Sequence, residues 1–75
     1  MKITLILNGH LRHFRGKREE VVELSGGESL GEVLERLAIP HGDVMALVID
    51  GKRFDYAHVP QEGSVVEVIP SISGG

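Results

Sequence analysis

Seventy-five residues carrying 8 Lys and Arg against 11 Asp and Glu, with a formal net charge of −3 and 41% hydrophobic content, describe one small acidic globular domain. That length leaves no room for a multidomain enzyme, the lack of cysteine removes both disulfide staples and a thiol nucleophile, and the acidic balance disfavours nucleic acid as the main partner. No apolar stretch approaches the roughly 20 residues that cross a bilayer and none has the form of a signal peptide, so no membrane partner is expected and the expected location is cytoplasmic.

Lys2 to Leu7 alternates, with Ile3, Leu5 and Leu7 on one face and Lys2, Thr4 and Ile6 on the other, the pattern of a half-buried strand. Asn8 and Gly9 give a turn signal, and the basic stretch from His10 to Arg18 is too long for a tight hairpin and is expected to be a loop. Glu19 to Leu24 predicts a second strand antiparallel to the first, with Val22 and Leu24 inward and Val21 and Glu23 outward. Ser25, Gly26 and Gly27 break it.

Ser29 and Glu32 have the spacing of a capping box, followed by Leu30, Val33, Leu34 and Leu37 on one helical face. Pro40 is expected to end that helix, and Gly31 is a weak point in its propensity. Val44 to Ile49 is a continuous apolar run suited to a central strand, and Asp50-Gly51 is a strong hairpin signal leading to a short strand over Lys52 to Phe54. Tyr56 to Val59 predicts an irregular segment. After the turn at Glu62, Gly63 and Ser64, the strand from Val65 to Ile69 places Val66 and Val68 inward and Val65, Glu67 and Ile69 outward. Hairpin, helix, hairpin and final strand give an α+β fold, a mixed sheet with one main helix on one face. The other face is open, and Ile6, Ile69 and either Leu47 or Val48 are candidates for an exposed apolar patch there.

Pro70 cannot donate to a ladder, and nothing in Ser71, Ile72, Ser73, Gly74 and Gly75 has a pattern that packs. The expected organisation is therefore a domain over residues 1–70 and a flexible, projecting tail over 71–75. At about 3.3 Å per residue, five extended residues carry the terminal carboxylate up to about 16 Å from the body. Gly74 and Gly75 lack a Cβ, so they can thread a narrow channel and present an unhindered acyl group. His10, His13, His41 and His58 have no ligand spacing, and no nucleophile, base and orienter stand together, so neither a metal site nor intrinsic catalysis is expected.

The order of elements, the Asp50-Gly51 hairpin, the turn at Gly63 and the terminal Gly74-Gly75 together resemble the ubiquitin-like β-grasp sulfur carriers, the small subunit of molybdopterin synthase and the thiamine-pathway carrier. The resemblance covers the whole chain. It implies that an activating enzyme uses ATP and Mg to adenylate the C-terminal glycine, and that sulfur transfer then leaves a thiocarboxylate that donates sulfur inside a synthase subunit. Gly75 would be the acceptor, Gly74, Ser73 and Ile72 the residues entering the partner's active site, and Ile6, Val48 and Ile69 the docking face. The carrier would bind neither ATP nor metal itself and would act as co-substrate. The long first connection, with Gly9, Leu11 and Arg12 in a Gly-x-Leu-Arg arrangement, favours the molybdopterin type over the thiamine type, while Asn8-Gly9 also resembles the thiamine carrier's first turn. A protein modifier that passes Gly75 to a lysine amine, and a passive ubiquitin-like interaction module, are the competing readings. The cations Arg12, Arg15, Lys17 and Arg18 beside His10 and His13 are most simply a solvated loop, with RNA or phosphate binding the weaker reading.

Overall fold

The computed structural model describes residues 1–72, and Ser73, Gly74 and Gly75 lie outside them. Five strands form one sheet: β1 (Lys2–Leu7), β2 (Glu19–Glu23), β3 (Val44–Ile49), β4 (Lys52–Phe54) and β5 (Val65–Pro70). Their order is β2-β1-β5-β3-β4, so the last strand is the middle of the sheet and β3 lies beside it. β1 and β5 are parallel while every other neighbouring pair is antiparallel, which makes the sheet mixed, as the alternation of strands and helix predicts.

The helix α1 (Leu30–Arg36) covers one face. Ile3, Leu5, Leu7, Val22, Leu47, Ile49, Val66 and Val68 point from the sheet into a single core with Leu30, Val33 and Leu34 of α1, and no polar or charged residue is buried among them. Leu47 belongs to this inner face, which leaves Val48 as the outward one of that pair. The capping box forms as the sequence predicts: Glu32 N–H donates to Ser29 Oγ, and Ser29 N–H donates to Glu32 Oε1 at 2.8 Å. The next free helix donors are met from outside, Leu30 N–H by the carbonyl of His58 and Gly31 N–H by that of Tyr56.

Three local features depart from the sequence expectation. The helix does not run to Pro40. It stops at Arg36, with Leu37 as its cap, because Ala38 turns left-handed at φ 60°. Ile39 N–H then reaches the Leu34 carbonyl and Ala38 N–H the Glu35 carbonyl, the paired bonds of a Schellman ending, with Ile39 buried against the core. The stretch expected as a loop contains a 3-10 helix (Gly9–Phe14) pinned by Leu11, which is fully buried. The last strand runs to Pro70, one residue beyond the expected end. Pro70 pairs with Val44 of β3, and β1 has already turned away after the register Leu7 with Val68, so the missing N–H costs no bond on that side.

Candidate docking face and tail root

Because β1 and β5 are parallel, the end of β1 and the end of β5 lie at the same end of the sheet, and the antiparallel β3 begins there too. Two connections therefore converge on the root of the tail. From the first, Asn8 N–H donates to the Val68 carbonyl at 3.2 Å. Gly9, at φ 57°, lies so close to the ring of Pro70 that a Cβ at Gly9 would stand 2.9 Å from its Cγ. Neither the dihedral nor the contact admits a side chain. From the second, a short 3-10 turn (His41–Asp43) precedes β3, and Ser71 is bound to it twice: Ser71 N–H donates to the Asp43 carbonyl at 2.9 Å and Ser71 Oγ to the Gly42 carbonyl at 3.0 Å. His10 Nε2 and Asp43 Oδ1, 3.3 Å apart, join the two connections.

The body's grip thus extends through Ser71. Ile72, the next residue, is 89% exposed. The expected tail residues Ser73, Gly74 and Gly75 lie outside the described residues. Sequence reasoning missed Gly9, Gly42 and Asp43 as parts of the root. The available signal was the Asn8-Gly9 pair directly after a strand, but only the parallel pairing of β1 with β5 brings it to Pro70.

On the open face the register sets Ile6 opposite Glu67 and Glu67 opposite Val48, so the two apolar side chains flank a carboxylate. The row continues to Glu19 on β2 and to Arg53 on β4. Ile69 lies two residues further along β5 on the same face, opposite Ala46 and next to Pro70. All three residues expected on the docking face are thus together, each half-buried rather than fully exposed. A second apolar row, which the sequence did not group, sets Thr4 between Val21 and Val65, 64% and 52% exposed.

Ion pairs fasten the segments around β2 and α1. Arg15 makes a two-pronged contact with Glu20, both bonds 2.9 Å, and Arg36 does the same with Glu28 while also donating to the Glu23 carbonyl. The guanidinium hydrogen bonds hold the Glu20 and Glu28 carboxyls below their ordinary range. Among the described residues no group of His, Asp or Glu has the arrangement of a metal site, and no helix is long and apolar enough to cross a membrane.

The arrangement sets an apolar face beside a tail root fixed in direction, with Ile72 exposed beyond it. Solved structures similar to this chain include SAMP1, small archaeal modifier protein 1, from Haloferax volcanii, 20% identical with a TM-score of 0.75 over 100% of both chains. A putative molybdopterin converting factor subunit 1 from Pyrococcus furiosus is 20% identical with a TM-score of 0.76, over 96% of this chain and 99% of that one. A complex of subunits 1 and 2 of molybdopterin-converting factor from Helicobacter pylori matches at 18% identity and a TM-score of 0.64, over 100% of both chains. No curated protein matches by sequence. The likeness to these structures is one of fold, the ubiquitin-like β-grasp. The ThiS family matches residues 5–75, nearly the whole length, and the chain belongs to that family of ubiquitin-like sulfur carriers.

Proposed function

We propose that this chain carries sulfur as a thiocarboxylate on Gly75, formed after an activating enzyme adenylates the glycine with ATP and Mg, and delivers it to a synthase subunit in cofactor biosynthesis. A Gly75 carboxylate oxygen attacks the α-phosphorus of ATP and displaces pyrophosphate. The terminal sulfur of a persulfide on the partner then attacks the acyl carbon, AMP leaves, and a partner thiol cleaves the S–S bond to release the thiocarboxylate. This chain supplies the acyl group and the docking surface, and the catalytic groups belong to the partners. The carrying observation is the family match reaching Gly75, in a body whose last strand leads straight into exposed chain at Ile72. Four residues beyond Ser71 can extend about 13 Å, enough to enter a neighbouring active site.

Molybdopterin is the favoured destination over thiamine thiazole. It is supported by the fold likeness to molybdopterin converting factor subunit 1 and by the Gly9, Leu11 and Arg12 pattern of the first connection. A second reading, conjugation of Gly75 to lysine amines, is favoured by the likeness to a small archaeal modifier. Intact-protein mass spectrometry of the chain from its own cells separates them. A gain equal to one oxygen replaced by sulfur, lost in Gly75→Ala, is expected for the carrier. Conjugates of higher mass through Gly75, without the sulfur form, overturn it in favour of the modifier, and an unmodified chain overturns both.

A further inference from the structure

The loop between β1 and β2 is charged against the grain of the molecule. The chain is acidic overall, yet residues 12–18 contain four of its eight Lys and Arg and no Asp or Glu. Arg15 is committed internally, to Glu20 and to the Leu37 carbonyl at the end of α1. Arg12, His13, Lys17 and Arg18 are all exposed, and their side chains make no hydrogen bond or ion pair among the described residues. Phe14 stands out among them, 41% exposed, edge-on to the His10 ring.

The loop is also shaped. Leu11 is anchored in the core, the Arg12 carbonyl accepts from Gly16 N–H at 2.8 Å, and Arg15 ties the far side to β2 and α1. Its first residues, Gly9 and His10, are those that touch Pro70 and Asp43 at the tail root. The cations are therefore carried on a loop whose first residues touch the point where the chain leaves the body.

We infer that residues 12–18 form an electropositive shoulder that docks on an acidic protein surface at the mouth of the active site receiving the tail, so that three unpaired cations orient the carrier while the apolar face closes. This rests on the sulfur-carrier reading. A protein partner suits the patch better than RNA. Three cations neutralise few phosphates, and Glu19 and Glu67 on the open face repel an extended polyanion that would run past the loop.

The test measures ATP–pyrophosphate exchange that depends on this chain, using the activating enzyme purified from the same cells by that activity. Wild type is compared with Arg12→Glu/Lys17→Glu/Arg18→Glu and with Arg12→Lys/Arg18→Lys at low and high ionic strength. The charge-reversed chain is expected to raise KM about tenfold at low salt with kcat retained, the gap to close as salt rises, and the lysine variant to behave as wild type. An unchanged KM with wild-type exchange intact overturns the shoulder alone. A loss of kcat with a lowered melting temperature overturns it in favour of a structural role for the loop. Absence of exchange with wild type removes the carrier reading and the shoulder together. Binding of fluorescein-labelled tRNA by wild type that the charge reversal abolishes, with KM for exchange unchanged, reassigns the patch to RNA.

Discussion

Glu20 is one residue through which pH reaches this fold. Its side chain is 12% exposed, and the fork from Arg15 holds its carboxyl below the ordinary value near 4.5 that it recovers on unfolding. The folded pKa is the lower one, so on acidification the unfolded chain takes up the proton first. The contribution of the pair is complete above the unfolded pKa and is lost as the pH falls through the folded one. Glu28, equally shielded and forked by Arg36, adds a loss of the same sign. Replacing Glu20 by Gln is expected to cost about 1 kcal/mol near neutrality, since the guanidinium is partly solvated and the pair is screened. Urea unfolding of wild type and Glu20→Gln from neutral pH down through the carboxylate range checks this: the gap between them should close on acidification, and a constant gap would show that packing rather than charge is lost.

At the scale of elements, α1 ends on a residue that does not suit its conformation. Ala38 occupies the left-handed position of the Schellman ending, where an L side chain costs about 1–2 kcal/mol and glycine nothing. Its side chain is exposed, so nothing is packed there to lose. Glycine forfeits part of the gain through a more flexible unfolded chain, about 0.4–1 kcal/mol. Ala38→Gly should therefore stabilise the domain by about 0.5 kcal/mol, seen as a higher urea midpoint at an unchanged slope. A lower midpoint would mean that Ala38 packs in a way its exposure does not reveal.

The same helix shows what the sequence made legible. Its start was readable because Ser29 and Glu32 are a local pattern with a local cause, and its apolar stripe because the period is fixed by the backbone. Its end was not, since an alanine gives no left-handed signal and Pro40 offered a more obvious stop. Gly31 looked like a defect, whereas a Cβ there would stand 3.0 Å from Tyr56 Cβ and 3.1 Å from the Tyr56 carbonyl oxygen, a contact made across 25 residues of chain. Alternation placed Ile6 and Ile69 on the outward face, but the continuous apolar run of β3 has no alternation, so it left Leu47 and Val48 open and only the family resemblance pointed to Val48. The order of strands was less accessible, and with it the meeting of Gly9, Pro70 and Ser71, because pairing between distant segments leaves no mark at short range.

For the molecule as a whole, size decides how it meets a partner. A specific interface takes about 800 Å² from each side, and this chain exposes 4455 Å² in all. On the function proposed above, a partner that receives the tail would cover roughly a fifth of the carrier, more than a few tail residues supply, which would draw the open face into contact. That face has two apolar rows at different distances from the root. Ile6 and Val48 flank Glu67, with Ile69 beside Pro70, whereas Val65 lies five residues back along β5, about 17 Å away at 3.3–3.4 Å per residue. A surface closing around the tail reaches the near row first. Val48→Asp is accordingly expected to weaken binding to the activating enzyme at least tenfold, while Val21→Asp, on the far row, changes it by less than about threefold, because only the first leaves a desolvated, unpaired carboxylate beside Glu67. Both side chains point away from the core, so melting temperatures should stay close to wild type and act as the control. Calorimetric titration of the three chains decides it: equal losses would extend the docking surface over the whole open face, and a loss confined to Val21→Asp would move it to the far row and separate docking from the tail.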